Sequence, residues 1–175
     1  MSRANFMRRA GNVKRFHTHS IIGENTVAHH SWGVVVLLLE LVEKPSLDHV
    51  RAAIYHDAFE VETGDIPWTA KQRNPTIKLV ADSMESDVAL EIDVMWNLHP
   101  WEEHSLKFCD MLDLMWFCLS QRKLGSANVD DVFENGRRFL LGHLQEFKDY
   151  EELSGSRLVV ANEMFNEVCH DFYSV

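Results

Sequence analysis

The chain has 175 residues and 46% of them are apolar, which is the size of one domain with enough material to bury a core without disulfides. Its 17 basic and 27 acidic residues leave a net charge of −10, and such an anionic excess excludes general binding to a phosphate backbone. If the chain handles phosphates, a few local cations or metal ions must reverse the sign at one site.

In chain order, residues 1–26 read as a basic, irregular segment with a short helical turn and a loop. Thr26 is a suitable N-cap, and the apolar spacing of Val27, Trp32, Val35, Val36, Leu39 and Val42 predicts a helix to Glu43, buried on most sides. Lys44-Pro45 stops it. Ser46 opens a helix predicted over Leu47 to Val61, and Gly64 breaks the chain before the loop Thr63-Gly64-Asp65-Ile66-Pro67-Trp68. Asn74-Pro75 starts a long acidic helix expected to reach Leu98. His99-Pro100 resets the chain for a helix from Trp101 to Lys123, ended by Leu124-Gly125. Further helices are predicted from Asn128 to Tyr150 and from Leu158 to Phe172. The expected fold is all-α, a single domain over residues 1–175, with about six helices and no confident period-two strand.

Glu40 interrupts the longest apolar run, Val34 to Val42, so nothing approaches the ~20 apolar residues of a membrane span. Residues 1–9 carry charge without the apolar stretch of a secretory signal. Cys109, Cys118 and Cys169 are odd in number and widely spaced, which fits reduced thiols in a cytoplasm. No membrane and no nucleic-acid partner is expected.

Chemistry concentrates in Tyr55-His56-Asp57-Ala58-Phe59-Glu60. On one helix, His56 and Glu60 would be four apart and Asp57 and Glu60 three apart, all able to face one side. His29-His30 begins the most apolar helix, and Asp110 lies within another apolar run, Phe108 to Trp116. An acid there is either satisfied by a partner or a ligand. Together His30, His56, Asp57 and Asp110 offer two imidazoles and two carboxylates, a suitable set for Zn²⁺, Mn²⁺ or Co²⁺.

The order of these residues resembles the HD-domain phosphohydrolases, most nearly the compact YfbR-like 5′-deoxynucleotidases and the phage dATP triphosphohydrolases of the DatZ type. The resemblance is carried by Arg15-Phe16, by Thr26-Val27-Ala28-His29-His30-Ser31-Trp32-Gly33-Val34 and by Tyr55-His56-Asp57-Ala58-Phe59-Glu60. Thr63-Gly64-Asp65-Ile66-Pro67 and Phe108-Cys109-Asp110-Met111-Leu112 extend it. It implies an HD-type helical bundle with a central metal site held by His30, His56, Asp57 and Asp110, with Mg²⁺ as an additional ion. Glu60 and Asp65 match the acidic pair acting on the attacking water and on the leaving group or a further metal. Arg15 and Phe16 match substrate contacts, and Lys71 matches a phosphate-facing cation.

Phe16 or Trp68 stacks on sugar or base, or is simply core. His29 replaces an acidic residue common in relatives, and Ile22-Gly23 stands where a basic residue is common. An apolar Ile22 suits a purine without a 2-amino group, which favours the adenine-specific branch. The resemblance therefore implies hydrolysis of dATP to deoxyadenosine and triphosphate, with 5′-deoxyribonucleotidase action on dNMPs as the alternative. A catalytically silent nucleotide-sensing module, and an interaction protein using Asp82, Glu85, Asp87, Glu91 and Asp93, are the readings from other classes. Trp96 and Trp101 exceed what a small bundle needs and suggest a homo-oligomer, a dimer or hexamer by resemblance.

Overall fold

A computed structural model describes residues 2–91 and 93–175; Met1 and Ile92 lie outside the described residues. Among these the chain is helical, with α1 Arg3–Ala10, α2 Val27–Leu41, α3 Leu47–Tyr55, α4 Glu60–Thr63 and α5 Trp68–Arg73. They are followed by α6 Pro75–Glu91, α7 Pro100–Lys123, α8 Asp130–Glu146, a 3₁₀ turn Phe147–Asp149 and α9 Ser156–Tyr173. The described residues contain one isolated bridge, Lys14 with Thr26, and no named strand. The all-α expectation holds, with more and shorter helices than predicted.

The core is built around α7, which packs chiefly on α2 and α8 and also on α9 and α3. Its inward positions, Phe108, Cys109, Leu112, Met115, Cys118 and Leu119, recur at helical spacing and are buried. They meet Val34, Leu38 and Leu41 of α2, Phe133 and Leu140 of α8, and Phe165 and Phe172 of α9. All three cysteines are free thiols, two of them in this core.

Several starts are fixed by side chains as predicted. The Thr26 hydroxyl accepts from His29 N at 3.4 Å, and the Ser46 hydroxyl from His49 N at 3.0 Å. Ser46 in turn donates to the buried Glu102 carboxylate at 2.6 Å, whose other oxygen accepts from His99 N at 2.9 Å. One acid thus ties the beginnings of α3 and α7 together.

Four expectations need correction. The predicted helix over Leu47 to Val61 divides: α3 ends at Tyr55, and residues 56–59 run as overlapping turns closed by backbone hydrogen bonds between residues three apart, before α4. The acidic helix stops at Glu91 rather than Leu98, because Asp93 takes a left-handed backbone (φ 52°) that helix cannot continue through. Trp68, expected as the end of a loop, instead opens a short helix, α5. Finally, α2 is not buried on most sides; it is apolar on two faces, and Trp32 on the outer one is 73% exposed, with Val36 and Leu39 also exposed.

The tryptophans read as surplus, Trp96 and Trp101, are engaged within the chain. Trp96 stacks on Phe59, and Trp101 meets the edge of His49 with Arg157 over its ring. No described helix is long and apolar enough to cross a membrane.

Candidate active site

Three elements deliver the sequence-predicted metal ligands to one point. His30 comes from the first turn of α2, His56 from the C-cap position just after α3, and Asp110 from the middle of α7. The Nε2 atoms of His30 and His56 are 3.2 Å apart. His30 Nε2 lies 3.1 Å from Asp110 Oδ1, and His56 Nε2 lies 3.9 Å from it. Their ligand atoms all fall within 4.8 Å of one another, a group able to hold a metal ion. Asp57 Oδ2 sits beside them, 3.6 Å from both Nε2 atoms, and accepts from the Arg15 guanidinium. The donor set of imidazole nitrogens and carboxylate oxygens fits a borderline divalent ion such as Zn²⁺.

The second ring nitrogens are also committed. His56 Nδ1 is 3.1 Å from the Ala53 carbonyl, and His30 Nδ1 is 2.7 Å from Asp113 Oδ2. Each Nε2 is thereby left to face the cluster. Burial and Arg15 push His30 down, but its bonds to Asp110 and Asp113 override them and hold it up at about 9 in the metal-free protein. Burial would raise Asp57, yet His56, Arg15 and His30 hold it down at about 2. Burial opposes Asp110 in the same way, while Lys107 and His30 keep it well below the ordinary carboxylate range. Both acids are therefore ionised and ready to ligate.

A cavity of about 350 Å³ opens from this cluster, a volume in the range of small-molecule sites. Arg15, Asp57, Glu60, Asp65, Trp68, Lys71 and Asp110, all named from the sequence, line it, and Phe16 contributes one wall. Glu60 is buried, and its Oε2 has no hydrogen-bond partner among the described residues. Burial first, then the charges of Asp57 and Asp65, raise its carboxyl to about 8. This acid does not reach the site by sharing a helix with His56, as expected, because the chain turns between α3 and α4.

Asp65 follows Gly64, whose positive φ of 70° makes the turn out of α4 without strain. The Asp65 carboxylate then accepts from Phe16 N at 3.2 Å. Phe16 itself has φ 58°, uncommon for a bulky residue, and packs on Phe117 at a ring separation of 4.6 Å. Phe16 is thus core as well as cavity wall, whereas Trp68 is the more exposed aromatic.

Ile22 is not brought to the cavity. It is 47% exposed, and its backbone N–H and C=O are held by the Gln121 amide at 2.7 and 3.0 Å. The structure thus leaves Ile22 outside the cavity lining, with the loop carrying it pinned to the end of α7.

Sequence reasoning missed Lys107, Asp113 and Arg73. Lys107 donates to Asp110 at 2.5 Å and lines the cavity with Arg73. Both Lys107 and Asp113 lie three residues from Asp110 on α7, so the helical period marks them as its neighbours. The apolar part of the cavity, Met111, Leu114, Val132 and Gly136, comes from the facing sides of α7 and α8.

Residues 4–99, more than half of the chain, match the family of YfbR-like 5′-deoxynucleotidases. The chain belongs to this family. Its matched segment contains the Arg15, His30, His56-Asp57 and Glu60 motifs described above, and Asp110 follows it. Among solved structures, the chain is similar to the cyanophage S-2L HD phosphohydrolase DatZ bound to dA and one catalytic Zn²⁺ ion. That match has a TM-score of 0.70 at 18% identity and covers 100% of this chain and 99% of the other. At that identity the likeness establishes the HD-domain fold alone. Comparison with curated proteins gives no match. This YfbR-like chain accordingly has the HD-domain fold and belongs to a family of deoxynucleotide phosphohydrolases, and its His30, His56 and Asp110 could hold a metal ion.

Proposed function

We propose that the protein hydrolyses dATP to deoxyadenosine and triphosphate. The observation that carries this reading is the collection of cations, Arg15, Lys71, Arg73 and Lys107, around one cavity of a chain whose net charge is −10. That concentration suits a polyphosphate tail more than a single phosphoryl group. The apolar slot between α7 and α8 suits a nucleobase, and the dA bound to the structurally similar phage enzyme supports deoxyadenosine as its occupant.

His30, His56 and Asp110, with Asp57 beside them, would hold the metal ion. A divalent ion there supplies a Lewis acid for the phosphoryl oxygens and makes water more acidic. Glu60, buried and with a free oxygen at the cavity, orients the attacking water and takes its proton. The water oxygen forms a bond to the α-phosphorus, the bond from phosphorus to O5′ breaks, and O5′ receives the proton that Glu60 took from the water, relayed through Asp65, which alternatively would hold a further ion such as Mg²⁺. Arg15 and Lys71 hold the phosphates, while Phe16 and Trp68 border the sugar and base. The exposed apolar side chains of α2 and α6, among them Trp32, Leu39 and Leu79, support a homo-oligomer.

Membership of a 5′-deoxynucleotidase family favours a second reading, release of phosphate from dNMPs. A product assay separates the two. The protein with Zn²⁺, Co²⁺ or Mn²⁺ is given each dNTP and dNMP, and the products are separated by chromatography. Deoxyadenosine with intact triphosphate, from dATP alone, is the expected result. Phosphate from several dNMPs with the triphosphates untouched would overturn it.

A further inference from the structure

One carboxylate at the centre of the bundle faces away from the cavity. Asp113 lies one helical turn beyond Asp110 on α7 and does not line the cavity. Its Oδ2 is 2.7 Å from His30 Nδ1, on the side of the ring opposite the ligand cluster. The space it occupies is made by a glycine. Gly33 lies one turn beyond His30 on α2, and a Cβ placed on it would run into the Asp113 carboxylate, 2.6 Å from Cγ. Real Cβ atoms do not approach other atoms so closely, and both partners belong to packed helices. Any larger residue at position 33 must therefore displace either the carboxylate or the helix.

We infer that Asp113 is a positioning residue for the metal site and that Gly33 exists to admit it. The carboxylate accepts from His30 Nδ1–H, which fixes the ring's rotation and tautomer. The Nε2 lone pair is then aimed at the point where His56 and Asp110 converge. A hydrogen bond on the distal nitrogen also makes the imidazole a stronger donor. The inference rests on the reading that His30, His56 and Asp110 hold a divalent ion.

The test uses metal-free wild type, Asp113→Ala, Gly33→Ala and the double variant, each titrated with Zn²⁺ against a chromophoric chelator. Loss of an outer partner of this kind lowers metal affinity about 10–100-fold, and that loss is expected for Asp113→Ala. Gly33→Ala should show a similar loss although every ligand and Asp113 itself are retained. In the double variant the clash is relieved, so thermal stability should recover relative to Gly33→Ala while affinity stays low. A purely packing role would instead restore both. Nitrogen NMR of the Zn²⁺-loaded protein gives an independent signature. His30 Nδ1 should carry a slowly exchanging proton in wild type that is lost in Asp113→Ala. Should Gly33→Ala fail to fold, Asp113→Ala and the NMR signal decide alone.

Zn²⁺ affinity within twofold of wild type in Asp113→Ala would overturn the inference while leaving the metal reading intact. Failure of wild type itself to bind Zn²⁺ would overturn the metal reading and this inference with it.

Discussion

The Nε2 atoms of His30 and His56 lie 3.2 Å apart, although 26 positions separate the two residues in sequence. Two imidazoles brought so close by separate helices, each with its other nitrogen engaged, would repel if both were charged. A shared cation beside Asp57 and Asp110 resolves that conflict.

His56→Ala or Asp57→Ala should remove bound metal and lower turnover at least a hundredfold, while circular dichroism still reports a helical fold. Neither side chain belongs to the core built on α7, so their loss should not unfold the chain. Metal content and dATP hydrolysis, measured on the same preparations, check this. A variant with parent activity would remove the HD pair from the site.

Glu60 gives a pH dependence of definite sign. Its carboxyl is raised to about 8 in the folded, metal-free protein, by burial first and then by Asp57 and Asp65. The folded state therefore binds this proton more tightly than the unfolded state does. The stability it contributes is fully present below the unfolded value of ~4.3 and is lost as pH rises through the folded value. Metal-free Glu60→Gln should consequently gain thermal stability over wild type between about pH 5 and about pH 9. With metal, the same variant should keep its Zn²⁺ and lose roughly 10²–10⁴-fold in turnover, as expected for a lost general base.

Lys71 lines the cavity near Glu60 and Asp65. Lys71→Met should raise KM for dATP by about tenfold, the size of one lost charge-assisted contact, and raise KM for dAMP less. Steady-state kinetics on both nucleotides test this. An equal effect on the two would place Lys71 at the α-phosphate alone.

Ile22→Arg should leave discrimination between dATP and dGTP within about twofold. The side chain is exposed, and the loop is fixed through its backbone to Gln121. A competition assay with both nucleotides measures it. A marked change would mean that the loop reaches the substrate after all.

Much of the site is legible in the sequence, because its residues break an otherwise regular pattern. An Asp at position 110 within an apolar helical run, and a His-Asp pair at the end of another, are costly unless they share a partner. The N-caps Thr26 and Ser46 declare themselves by type. What the chain does not disclose depends on distant contacts. The break after Tyr55 has no glycine or proline to mark it, and the turns that follow are closed by backbone hydrogen bonds. Residue 93 ends α6 as an Asp in a left-handed conformation, which few acids adopt. Ile22 occupies a promising place in the motif, yet a single amide from α7 turns it to the outside. Asp113 and Gly33 become meaningful only when α2 and α7 are seen in contact.

The proposed reaction is decided by where water attacks. Hydrolysis of dATP in H₂¹⁸O, followed by mass spectrometry of the products, reads this in one experiment. Attack at the α-phosphorus puts one ¹⁸O into triphosphate and leaves deoxyadenosine unlabelled. Label in deoxyadenosine, or labelled phosphate or pyrophosphate with dADP or dAMP as the other product, would contradict the proposed chemistry at the HD site.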